Sequence, residues 1–225
     1  MSDLNNTNYA FKNAFDLFKD NNVNEAHEQL EEILKVYPED KDSLDLIILI
    51  YIKTNKPNKA IQFVNRCISL FPDDISYLEK KYKLLTFIGD QNAAFDCLIA
   101  LNKISPTIES IREISNIYID KGEIEKSEEA IQDFFESNKS YSELYKGIRH
   151  VKAGRNKLAE EAYKKVLKKD NNNVDALRLL GLLAFKQNNY PIAEKLFIRG
   201  IQLNPTFKLL WENLAKCFRL QNKFQ

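Results

Sequence analysis

VDALRLLGLLAFKQNNYPIAEKLFIRGIQLNPTF, residues 174–207, decides the fold. Its first half carries Leu177, Leu180, Gly181 and Ala184 at i, i+3, i+4 and i+7, and its second half carries Ala193, Phe197 and Gly200 at i, i+4 and i+7. That spacing predicts two amphipathic helices. Between them QNNYP, residues 187–191, is a polar turn, and Pro191 stands near the start of the second helix, where a missing N–H costs nothing.

The same unit recurs along the chain. Pro38, Pro72 and Pro106 are spaced by 34 residues, and Pro205 lies close to three further periods on. The remaining prolines, Pro57 and Pro191, fall near the middle of a period, so all six can sit between helices. The spacing gives an N-terminal tail 1–6, repeats 7–40, 41–74, 75–107, 108–139, 140–173 and 174–207, and a partial repeat 208–225. The eighth and twentieth positions of a repeat are often small: Ala14 and Ala26, Ser115 and Ser127, Gly147 and Ala159, Gly181 and Ala193. Small residues there let two antiparallel helices approach to about 8–10 Å.

On these residues the chain resembles the tetratricopeptide repeat family. The order Leu-Gly…Ala…Phe…Pro in 174–207 matches its pattern, Trp211 and Leu214 supply the family's Trp and Leu in the last unit, and the resemblance covers residues 7–225. Tyr82 at a normally small site and Lys146 at a normally apolar one depart from the pattern. The resemblance implies an all-α, right-handed superhelical solenoid of antiparallel helix pairs. It also implies that positions two, five, nine and twelve of each repeat line a concave groove. Those positions make Phe11, Phe15, Phe18, Leu49, Ile52, Lys83, Arg112, Asn116, Arg178, Leu182 and Phe185 the candidate peptide-binding residues. The three N-terminal phenylalanines have a second reading, closing the end of the core. A shifted register burying Tyr141, Leu144 and Ile148 is the alternative for the fifth repeat. Some family members clamp a C-terminal carboxylate; Arg112 and Asn116 resemble the first pair of that clamp, but Tyr145, Asp175 and Leu179 stand where Asn, Lys and Arg are required, so the clamp is rejected.

Composition narrows the function. The 225 residues include only 6 Gly and 6 Pro, fewer than glycine-rich catalytic loops or a turn-rich β-protein would use. No dinucleotide, phosphate-loop, GxSxG or HExxH motif occurs, and His27 and His150 lie far apart. The odd count of three cysteines, Cys67, Cys97 and Cys217, without a CxxC spacing supports neither a disulfide framework nor a zinc site. We therefore expect a non-catalytic protein-interaction scaffold that binds a peptide or protein segment in its groove, without cofactor or metal. The alternative is the recruitment region of a longer enzyme, because the run 175–205 is similar to repeats ahead of bacterial catalytic domains, sulfotransferases among them.

The N-terminus lacks a signal pattern and the longest apolar run, Leu46 to Ile52, is too short to span a bilayer, so a cytoplasmic protein without membrane contact is expected. A net charge of +1 gives no general attraction to nucleic acid. Charge is nevertheless uneven: repeat 108–139 has nine acidic and four basic residues, and repeat 140–173 has nine basic and four acidic. No aromatic reading surface accompanies the basic set, so the expectation is two solvated faces that neutralise each other across the junction rather than a nucleic-acid partner. Helix 208–220 carries Trp211, Leu214 and Phe218 on a side that no second helix covers. That stripe predicts truncation or self-association through 208–225.

Overall fold

The computed structural model describes residues 2–221, with side chains from Asn8 onward. Among the described residues the secondary structure is thirteen α-helices and one short 3-10 turn, without a strand. The chain divides into two compact units, residues 1–105 and 106–225. The first contains α1 (Ser2–Lys19), α2 (Val23–Val36), α3 (Lys41–Lys53), α4 (Pro57–Leu70), α5 (Ile75–Ile88) and α6 (Gln91–Ile104). The second contains α7 (Ile108–Asp120), α8 (Ile124–Ser137), α9 (Ser142–Lys152), α10 (Asn156–Lys169), α11 (Val174–Lys186), α12 (Tyr190–Leu203) and α13 (Lys208–Leu220). Residues 2–6, read from sequence as a tail, continue α1 instead; they contain neither Pro nor Gly.

Polar caps start the first helix of most pairs. Asp40 accepts from Ser43 N, Asp74 from Ser76 N and Asn173 from Ala176 N, and Thr107 forms a reciprocal capping box with Ser110. Each satisfies a backbone donor that the helix start leaves without a partner. Pro57 and Pro191 lie in the first turns of α4 and α12, where a missing N–H is harmless. Gly89 ends α5 with φ +79°, a left-handed conformation that glycine takes without a Cβ clash. At the start of α13 the pattern fails: Phe207 occupies the cap position and has no side-chain cap bond.

Helix pairs close on their small positions. Ala14, Ala26, Ala159 and Ala193 are fully buried, and the Ser115 and Ser127 hydroxyls bond each other at 2.7 Å in the interior. A Cβ on Gly147 would stand 2.1 Å from the Tyr163 ring, and one on Gly181 2.5 Å from the Phe197 ring. These two equivalent contacts place the fifth pair in the same register as the sixth, without the shift considered from sequence. Leu144 and Ile148 are buried all the same, and Tyr141 stacks on Phe135 at 5.0 Å. Tyr82 accommodates its bulk by packing, half-buried, against Leu85, Ala94 and Cys97. Lys146 points to solvent and pairs with Glu143.

Candidate functional site: two inner faces

The inner faces of the two units differ. In residues 1–105, α1 touches α3, and α5 joins them through Asp45 of α3, which accepts from Lys80 Nζ at 2.5 Å and from the Tyr77 hydroxyl at 3.2 Å. On this face Phe15 is 37% exposed, Leu49 48% and Ile52 45%. Phe11 and Phe18 are half-buried against the core, which is the second of the two readings considered for these phenylalanines. Phe15 stands out from the core and stacks on Phe11 at 6.1 Å. Lys83 is exposed on α5.

Charge on this face is ordered along the helices. Lys19 lies 4.3 Å over the Phe15 ring and Lys53 4.7 Å over Phe18. These cation–π contacts hold the ammonium groups beside the apolar stripe. The carboxylates Asp42 and Asp45 sit in the first half of α3, and Asp45 is already neutralised by Lys80. The C-terminal halves of α1 and α3 thus present apolar side chains edged by lysine.

In residues 106–225 the corresponding positions turn inward. Arg112 donates to Asp175 at 2.6 Å, and Arg178, with no exposed surface, donates to Glu128 at 2.7 Å. The Phe207 ring is buried between the two guanidinium groups, 5.5 Å from Arg112 and 5.8 Å from Arg178. Asn116 Nδ2 donates to Thr206 O at 2.8 Å, and Lys208 N donates to Asn116 Oδ1 at 2.9 Å. Lys208 Nζ reaches both oxygens of Asp120 at 2.5 Å. The inner side of α7 is therefore covered by the segment that leads into α13. Leu182 lines a cleft of about 110 Å³ with Ile148, Val151, Tyr163 and Leu179, which holds a side chain rather than a peptide. Phe185 is half-buried edge-on to Tyr190 at 5.5 Å.

The uneven charge resolves differently from the sequence expectation. Acidic Glu128 and Asp120 pair with Arg178 and Lys208, whereas basic Lys146 and Lys165 share Glu143 and Lys164 takes Glu160 within their own repeat. The fourth repeat's acid is drawn to α11 and α13, because the closure brings those helices against α7 and α8. In α13, Leu214 and Cys217 are buried and Phe218 is half-buried, so the expected stripe shrinks to Trp211, which is 50% exposed and donates from Nε1 to Pro205 O at 2.9 Å. Residues 222–225 lie outside the described part of the chain.

The chemically reactive types are placed as core. Burial pushes the thiols of Cys67, Cys97 and Cys217 above their ordinary pKa, which lowers their reactivity. His27, isolated in sequence, bonds the Tyr51 hydroxyl through Nε2 at 2.8 Å, beside a polar cleft with Glu28, Lys56 and Lys59. That contact spans 24 residues and carries no local sequence signal. Among the described residues, no group of three or more His, Cys, Asp and Glu is placed to hold a metal ion, and no helix is long and apolar enough to cross a membrane.

Two tetratricopeptide repeat models match the chain, over residues 144–206 and 49–74. A stretch of 124 residues, 54% of the chain, is 28% identical to human tetratricopeptide repeat protein 13 and spans 14% of that protein's length. Among solved structures, the MamA protein is similar with a TM-score of 0.46 and 16% identity, over 88% of this chain and 92% of that one. A tetratricopeptide repeat protein from Parabacteroides merdae is similar with a TM-score of 0.44 and 17% identity, over 96% of this chain and 74% of that one.

Proposed function

The chain is a tetratricopeptide repeat protein, and from that premise we propose that it is a non-catalytic interaction scaffold whose residues 1–105 receive a peptide on the inner face of α1, α3 and α5. The observation that carries this reading is the exposure of Phe15, Leu49 and Ile52 on that one face. Apolar side chains left uncovered together mark interaction surfaces, whereas singly scattered ones do not. Phe11 and Phe18 form the floor, and Lys19, Lys53 and Lys83 edge it. The chemistry that fits is a segment with two or three apolar anchors and carboxylates beside them. In residues 106–225, Leu182 offers a smaller contact at the cleft and Phe185, half-buried against Tyr190, lies outside its lining, while Arg112, Asn116 and Arg178 are engaged within the chain.

The test is selection from a displayed random-peptide library on the intact chain. Enriched peptides should be apolar and acidic, and Leu49→Glu with Ile52→Glu should weaken them at least tenfold while far-UV circular dichroism stays unchanged. Both positions are nearly half exposed, so the fold tolerates them. Peptides that bind the double variant as well as the parent would refute this face.

A further inference from the structure

The inner side of α7 in residues 106–225 is filled by the chain itself. Four of the other first helices start on Asp40, Asp74, Thr107 and Asn173, each capping its helix with its own side chain, whereas α9 starts on Tyr141 without a side-chain cap bond. Phe207 stands at the equivalent place before α13 and cannot cap. The missing acceptor comes from α7: Asn116 Oδ1 takes the first N–H of the helix, from Lys208, while Asn116 Nδ2 donates to Thr206 O. One side-chain amide thus grips the backbone on both sides of Phe207. This grip reads backbone and is indifferent to sequence; specificity comes from the neighbours. The guanidinium groups of Arg112 and Arg178 face the aromatic ring, and Asp120 takes the following lysine through both oxygens.

We propose that Thr206–Lys208 is a built-in pseudo-ligand, and that the inner side of α7 binds in trans an extended segment carrying an aromatic residue followed by lysine once this clasp is released. The closed state has the marks of a displaceable one. Arg112 Nε, Arg178 Nε and Nη2, and Asp175 Oδ1 are buried without a hydrogen-bond partner among the described residues. Such groups disfavour the closed state and regain solvation on opening. The clasp's own polar contacts lie near the surface, with Lys208 and Asp120 45% and 58% exposed, where an ion pair holds weakly. The site is independent of the face proposed on residues 1–105, so the two readings fail separately.

The experiment uses Phe207→Ser in the full chain. Serine removes the ring yet supplies the local cap that α13 lacks, so the helix keeps its start. The probe is a fluorescein-labelled peptide of residues 204–210, Asn-Pro-Thr-Phe-Lys-Leu-Leu. It should bind Phe207→Ser at least tenfold more tightly than the parent, and adding Asn116→Ala or replacing the peptide's Phe by Ala should erase the gain. Emission from Trp211, the single tryptophan, reports whether α13 stays seated. Should Phe207→Ser fail to fold, Lys208→Glu, which sets two carboxylates against each other, replaces it and should give about a threefold gain. A folded variant that binds the peptide no better than the parent, or a gain that survives Asn116→Ala, overturns the proposal.

Discussion

Gly181→Leu tests the helix contact on which the sixth repeat is built. A Cβ at this position would lie 2.5, 2.9 and 3.0 Å from Cε1, Cδ1 and Cζ of Phe197. Ordinary carbon contact is about 3.5–4.0 Å, so the ring or the helix must retreat by roughly 1 Å. Phe197 is fully buried, and the ring has nowhere free to go. Overpacking of this kind costs about 1–3 kcal/mol. Replacing a mid-helix glycine returns about 0.5–1 kcal/mol of backbone entropy. The alanine variant should therefore lose about 1 kcal/mol net. Leucine adds three more carbons to the same gap without a larger propensity gain, and should destabilise by about 2 kcal/mol. With a urea slope of about 1–3 kcal/mol/M the midpoint falls by roughly 1 M. Urea titration followed both by far-UV circular dichroism and by Trp211 emission measures it. Trp211 lies on α13, which packs against α12, the helix that carries Phe197, so the fluorescence midpoint should move with the helical one. The double variant with Phe197→Ala sharpens the test. Alone, Phe197→Ala leaves a cavity worth about 3–5 kcal/mol. The leucine introduced by Gly181→Leu would fill part of that cavity, so the pair should be more stable than the sum of the two losses by at least about 1 kcal/mol. An unshifted Gly181→Leu midpoint, or strict additivity in the double variant, would refute the contact.

The helical pairing was legible because it is local and repeated. Leu177, Gly181 and Ala184 report their own helix, and the small pairs Ser115/Ser127 and Gly181/Ala193 are twelve residues apart in each pair. The closure of residues 106–225 was not legible, because Asn116 and Thr206 are separated by 90 residues and each looks ordinary in its own repeat. Position rules place Arg112, Asn116 and Arg178 on an inner face, and in the structure all three meet the segment Thr206–Lys208. The rules say nothing of what covers that face, since coverage depends on how far the stack curls. One sequence signal did exist. Phe207 takes the place where Asp40, Asp74 and Asn173 cap their helices, and a phenyl ring there has no oxygen to accept a helix N–H. The charge asymmetry misled for the same reason: counting Asp120 and Glu128 within a repeat hides that their partners are Lys208 and Arg178.

Two further outcomes follow from the charged groups. Lys41, then Ser76, hold the Asp74 carboxyl at about 2, below its ordinary value of 3.8. A lowered carboxylate pKa stabilises the folded state above the unfolded value and loses that contribution as pH falls toward 2; Lys41→Met should raise the Asp74 midpoint in an NMR titration, and an unmoved midpoint would refute the pairing. The second outcome concerns Arg178, which has no exposed surface and pairs with a Glu128 that is 23% exposed. Its Nη1 donates to Glu128, while Nε and Nη2 have no partner among the described residues. Removing one partner of a buried pair strands the other charge at a cost of about 3–5 kcal/mol, whereas replacing the buried charge by an apolar side chain of similar length is often neutral. The two ends of this pair are not equivalent. Glu128→Ala strands a guanidinium that cannot reach water, so it should fall in that range. Arg178→Met removes the orphaned donors and leaves Glu128 able to turn to solvent, so it should cost well under half as much even though the guanidinium's contact with the Phe207 ring goes with it. Urea midpoints of the two variants decide the order. An Arg178→Met loss equal to or larger than that of Glu128→Ala would mean that the guanidinium is held in the core by contacts beyond this pair.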